Sequence, residues 1–109
     1  MNHLSEAQRE ELGKSIIEQI KTVYEPEIPV DIYELGLIYK VEVDENGIAL
    51  IVMTLTTPNC PVADSMPMEV HQKAFDVEGI EDVNLELTFD PPWNENMASE
   101  VAQLQLGLL

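Results

Sequence analysis

Cys60 is the single cysteine of the sequence, and the run around it, Thr54-Leu55-Thr56-Thr57-Pro58-Asn59-Cys60-Pro61, is the part best suited to chemistry. An apolar segment ends there in polar residues, and a proline follows of the kind favoured in the first turn of a helix. A thiol at a helix start meets unpaired N–H groups and the positive end of the helix dipole, which favour the nucleophilic, metal-binding thiolate. Asp64 and the acidic background act the other way, because they disfavour a further negative charge. A buried, inert thiol is the competing reading, since free cysteine is among the most buried residue types. One cysteine forms no disulfide within the chain and cannot by itself build a four-thiolate zinc or iron–sulfur site.

Thr56 and Thr57 are candidate hydroxyl donors beside Cys60, and Glu25, Glu27 and Asp31 lie in an earlier proline-rich loop that could approach it. Asp31 and Asp90 have an equally good local reading as turn residues that bond to nearby backbone. His71 is expected on a helix surface, with no second His or Cys four residues away to make a metal pair, and His3 lies in a terminus that should fray. No Ser-His-Asp order, phosphate-cradling glycine run or paired-histidine motif is present. Trp93, after a double proline, reads as a lid over the edge of the core or as a partner contact.

The elements that must position these residues follow from periodicity. Ser5 and Gln8 have the spacing of a capping box, and Leu12, Ile16, Ile20 and Val23 form one apolar stripe, which predicts a helix from about Ser5 to Val23. Pro26 and Pro29 require a loop after it. Leu37–Asp44 reads as a strand with one buried face, Glu45-Asn46-Gly47 as a tight turn, and Ile48–Thr56 as a central strand apolar on both faces. A second helix is expected from Cys60 to about Val77, with Pro67 imposing a kink or a late start near Ser65. Val83, Leu85, Leu87 and Phe89 alternate as a third strand that stops at Asp90-Pro91-Pro92. Met97, Val101 and Leu104 mark a last short helix from Asn96 to about Leu106. The fold class is therefore α/β (α+β), a small three-stranded mixed sheet covered by helices in the order αββαβα, with residues 1–109 as a single domain.

Composition limits the partners. The 109 residues carry 21 Asp and Glu against 5 Lys and Arg, a formal net charge of −16. Nucleic acids and anionic membranes are polyanions bound chiefly through Lys and Arg, so neither is an expected partner. No apolar run approaches the ~20 residues of a membrane-spanning helix. The N-terminus lacks the basic and apolar stretches of a secretory signal, and a cytoplasmic location is expected. Past Lys73 there is no Lys or Arg, while Asp76, Glu78, Glu81, Asp82, Glu86, Asp90, Glu95 and Glu100 follow. That half is either a solvated acidic face or a docking surface for a basic partner.

Three motifs, in order and spacing, carry a family resemblance. They are Glu25-Pro26-Glu27-Ile28-Pro29-Val30-Asp31 continuing to Tyr39, Thr56-Thr57-Pro58-Asn59-Cys60-Pro61, and Asp90-Pro91-Pro92-Trp93. The sequence resembles the metal–sulfur cluster assembly family, which includes SufT-like bacterial proteins, PaaD-like proteins associated with an oxygenase, and eukaryotic cytosolic iron–sulfur targeting factors. The resemblance implies a small α/β domain that assists iron–sulfur cluster assembly or delivery to client proteins, without a firmly assigned enzymatic activity. Its marked positions map onto Glu25, Glu27, Thr56, Thr57 and Cys60. Cys60 is then a candidate transient ligand of iron or an iron–sulfur cluster that one chain does not hold stably, with Glu25 and Glu27 as weaker metal candidates. One departure is Glu25 where the family typically has Asp. The implied partners are iron–sulfur assembly proteins or client apoproteins, and a homodimer stays open. Three alternatives remain: a metal-free acidic interaction module, a PaaD-like component for maturing a multicomponent oxygenase, and a thiol enzyme, which lacks an evident general base.

Overall fold

The structure of the chain, a computed structural model, describes residues 3–24, 30–55, 65–105 and 107. Ser5 and Gln8 form the reciprocal capping box that their spacing predicts. The Ser5 hydroxyl accepts the Gln8 N–H at 3.1 Å, and the Gln8 side-chain oxygen accepts the Ser5 N–H at 2.8 Å. They start helix α1 (Glu6–Ile20), whose Ile16 and Ile20 are fully buried. The helix stops earlier than the expected Val23, at a C-cap on Lys21. Thr22 turns its hydroxyl back onto the Gln19 carbonyl at 2.6 Å, and the buried Val23 instead begins a run of cross-chain backbone bonds.

Strands β1 (Ile38–Val43) and β2 (Ile48–Met53) form an antiparallel hairpin, and β3 (Asp82–Leu87) pairs parallel to β2, so the sheet is mixed with order β1-β2-β3. The hairpin turn differs from the expected tight Asn-Gly type with two positive φ angles. Only Gly47 has one, at +82°, and the Gly47 N–H donates to the Asp44 carbonyl at 3.1 Å. The Asp44 carboxylate accepts the N–H groups of Asn46 and Ile48 at 2.8 and 3.0 Å, so the side chain holds a longer loop with a left-handed glycine. Register shifts between Ile38 and Lys40, next to the strand ends from which the loops of interest leave.

Helix α2 (Ser65–Phe75) packs beside α1 and against β3. Pro67 lies two residues after the first described residue of the helix, Ser65, and the expected start at Cys60 falls outside the described residues. Met66, Val70 and Ala74 of α2, Ile16 and Ile20 of α1, and Val43, Ala49, Ile51, Met53 and Val83 of the sheet make one core. The central strand was expected to be covered on each face. Its alternate residues Ile48, Leu50 and Val52 are only half-buried, flanked in register by Glu42 and Lys40 on one side and by Asp82, Asn84 and Glu86 on the other.

The last helix also departs from expectation. Asn94 caps a 3-10 turn (Glu95–Met97), Ala98 is extended, and helix α3 (Glu100–Gln105) restarts with Ser99 accepting the Ala102 N–H at 3.1 Å. The break exists because the Ser99 N–H is used elsewhere, donating to the Glu34 carbonyl at 2.8 Å. Ala98 and Ala102 consequently face the core, while Val101 and Leu104 of the expected apolar stripe are exposed.

Candidate functional site

The described anchors of the two segments that carry the site candidates, 25–29 and 56–64, lie at one end of the sheet. Cys60, Thr56 and Thr57, and the carboxylates Glu25 and Glu27, lie outside the described residues, so the described part of the site is the frame from which those two segments depart.

That frame is a series of main-chain hydrogen bonds. The Ile32 N–H donates to the Val23 carbonyl at 2.9 Å, the Leu37 N–H to the Ile32 carbonyl at 3.1 Å, and the Thr54 N–H to the Leu37 carbonyl at 2.8 Å. Tyr24 and Asp31 form an isolated antiparallel bridge at the mouth of the proline-rich segment. On the far side, the Thr88 N–H donates to the Met53 carbonyl at 2.9 Å, which ties the end of β3 to the end of β2. The segment 25–29 is thus anchored at Tyr24 and Val30, and the segment 56–64 leaves from Leu55, two stretches whose supports are bonded to one another. Val23, Val30, Ile32, Leu37 and Leu55 are all buried, so the anchors are held by apolar packing as well as by the backbone.

Asp31, read from the sequence either as part of the site or as a turn residue, spends one carboxylate oxygen locally. Its Oδ1 accepts the N–H groups of Tyr33 and Glu34 at 3.0 and 3.1 Å, which shapes the turn between Val30 and Leu37. Asp90 enters its turn through its backbone, exchanging bonds with the Thr88 hydroxyl. Thr54 is the one fully buried polar side chain among the described residues.

The turn is clamped from outside by the C-terminal segment, a relationship the sequence did not announce. The Trp93 indole Nε1 donates to the Leu35 carbonyl at 2.7 Å, and the Tyr39 hydroxyl donates to the Pro91 carbonyl at 2.8 Å. Gly36, at φ +81°, lies so close to Met97 that an added Cβ would collide with the Met97 carbonyl oxygen. Trp93, expected as a core lid over the sheet edge, packs half-buried against the core and closes over the turn that leads into β1. The glycine at Gly36 was a visible signal for a close approach, although not for its partner.

The helix-end argument for the Cys60 thiol falls on residues 56–64, which lie outside the described residues. His71, expected on the surface, is half-buried, with Nε2 at 3.2 Å from the Val83 carbonyl. Among the described residues no group of three or more His, Cys, Asp or Glu side chains comes together in a way that could hold a metal ion. Among the same residues no helix is long and apolar enough to cross a membrane.

Comparisons with known proteins fall on this same framework. A family model described as iron–sulfur cluster assembly protein matches residues 13–87. The chain is 49% identical, over 88% of its length and 91% of the relative's, to the Fe-S protein maturation auxiliary factor of Porphyromonas gingivalis. It is 36% identical, over 79% of its length and 98% of the relative's, to the Fe-S protein maturation auxiliary factor SufT of Staphylococcus aureus. A crystal structure of a domain of unknown function from Bacillus anthracis superposes with a TM-score of 0.87 at 30% identity, covering 96% of this chain and all of that one. It bears out the three-stranded mixed sheet with helices in the order αββαβα. On the family model and on both relatives, the chain belongs to the iron–sulfur cluster assembly protein family.

Proposed function

We propose that this chain is an auxiliary factor in iron–sulfur protein maturation, assisting the assembly of clusters or their delivery to client apoproteins. The observation that carries the reading is the 49% identity, across most of both chains, to a protein named for that role. The cluster is cargo in this reading and not a resident group. One chain brings a single cysteine, and iron–sulfur clusters are ordinarily held by four thiolates, so cargo is shared with a second protein or a small thiol. Cys60 is the ligand this chain contributes, with Thr56 and Thr57 as hydroxyl donors beside it and Glu25 and Glu27 as accessory carboxylates. What supports that placement is the frame: the two segments bearing these residues leave from anchors joined by the Val23–Ile32–Leu37–Thr54 backbone bonds. Its partners are assembly proteins and client apoproteins of the iron–sulfur system.

Anaerobic reconstitution tests the ligand role. The parent chain, given ferrous iron, sulfide and a small thiol, should take up iron and sulfide and show charge-transfer absorption, and Cys60→Ser should lose most of both. Equal uptake by the variant overturns the assignment of Cys60. The maturation role is read separately in cells lacking the chain. Iron–sulfur dehydratase activity should fall there while the amount of those enzymes is unchanged, and unaltered activity overturns that role.

A further inference from the structure

β3 is an edge strand, and its outer side is treated unevenly along its length. At Val83 both backbone groups are occupied. The Asp82 Oδ1 accepts the Val83 N–H at 2.8 Å, and the Val83 carbonyl lies 3.2 Å from His71 Nε2, which must carry the proton because a carbonyl only accepts. The Thr88 N–H, by contrast, points inward to the Met53 carbonyl. In a parallel ladder successive residues alternate between the two sides of the strand, so Leu85 and Leu87 turn the same way as Val83, to the outside. Among the described residues no turn or side chain bonds to their N–H and C=O groups. Beside them runs an open groove of about 320 Å³ lined by Pro67, Met68, His71, Gln72 and Leu85. Met68 is 71% exposed and Leu87 42%, so among the described residues this edge combines unpaired backbone with uncovered apolar side chains.

We infer that the outer edge of β3 at Leu85–Leu87 is a strand-addition site for an extended segment of a partner protein in which apolar residues alternate with Lys or Arg. The backbone groups of Leu85 and Leu87 supply the pairing, and the groove beside Met68 receives alternate apolar side chains. Charge selects the occupant. Asp82 and Glu86 lie on the strand, Glu69 on α2 and Asp76 just past its end, and past Lys73 no cation occurs in the chain. A second copy is disfavoured by the same charges. The antiparallel register that uses Leu85 and Leu87, pairing each with the other, sets Glu86 opposite its own copy, and each chain carries −16. His71 and Asp82 fix the limit of the site by closing the strand at Val83. The inference is independent of the maturation reading, because the edge would be the same on a chain that handled no cluster.

The test is a titration of the isotope-labelled full chain with a capped eight-residue peptide alternating Lys with Val and Leu, followed by NMR. The Leu85 and Leu87 amides should shift and their hydrogen exchange should slow at least roughly tenfold, as expected on strand pairing. The same peptide N-methylated along its pairing side should not bind, a control that leaves the chain unaltered. Glu86→Lys, at an exposed position, should weaken binding roughly tenfold or more. Equal binding by the N-methylated peptide, or shifts confined to surfaces away from β3, overturns strand addition. Equal binding by a peptide with Glu for Lys overturns the basic partner. A dimer that protects Leu85 and Leu87 without peptide overturns the choice of occupant in favour of a second copy.

Discussion

The indole N–H of Trp93 reaches the carbonyl of Leu35 at 2.7 Å, across 58 residues of sequence, and joins the C-terminal segment to the turn that supports the candidate site. Leu35 is fully buried, so its carbonyl has no ready substitute in water. Trp93→Phe should therefore cost about 1–3 kcal/mol, the range for leaving a buried acceptor unpaired. Urea unfolding followed by circular dichroism measures this, and an unchanged midpoint would show that the clamp contributes nothing.

Gly36→Ala should be worse. The new Cβ would collide with the Met97 carbonyl oxygen, and φ +81° is unfavourable for a side chain. The strain alone is about 1–2 kcal/mol, and the clash must be relieved by moving backbone. The expected result is a loss exceeding that of Trp93→Phe, with faster proteolysis between Glu95 and Gln105 as the segment lifts away.

Thr54→Val is expected to be close to neutral, within about 1 kcal/mol, in spite of complete burial. The hydroxyl lies 3.5 Å from the Leu55 carbonyl, too long for a strong O–H donor, and Val preserves the shape. Thr54→Ala, which also removes a methyl group from the core, should destabilise more. Thermal unfolding of the pair separates packing from hydrogen bonding.

Ser5→Ala removes one half of the capping box and should destabilise the chain by about 1 kcal/mol. Ser5→Asp should retain most of the stability, since Asp also caps and its charge suits the N-terminal end of the dipole. Amide exchange in the first turn of α1 reports the difference directly.

Local patterns were legible in the sequence and long-range closures were not. Ser5 and Gln8 announced a helix start because both partners of the capping box lie within one turn. The central position of Ile48–Met53 follows from its unbroken apolar run. A two-residue rule locates the Asn46-Gly47 turn and misses its geometry, because Asp44 contributes a side chain that the rule leaves out. The final helix departs from its sequence pattern for a deeper reason. Met97, Val101 and Leu104 satisfy a helical stripe, yet the bond from the Ser99 N–H to Glu34 depends on a turn 65 residues earlier. Of the candidate site, the family motifs singled out the Glu25–Asp31 and Thr56–Cys60 runs. The backbone bonds that join their anchors have no signature in side chains at all.

That last property has a consequence for which substitutions the molecule can accept. A frame made of amide donors at Ile32, Leu37 and Thr54 is indifferent to what side chains those residues carry, provided they fit, but it forbids proline at each of them. Four of the seven prolines, Pro26, Pro29, Pro58 and Pro61, fall in the two segments that hang from the frame. The sequence thus separates backbone positions that must donate from two runs in which four residues cannot, one of them the run that contains its one thiol.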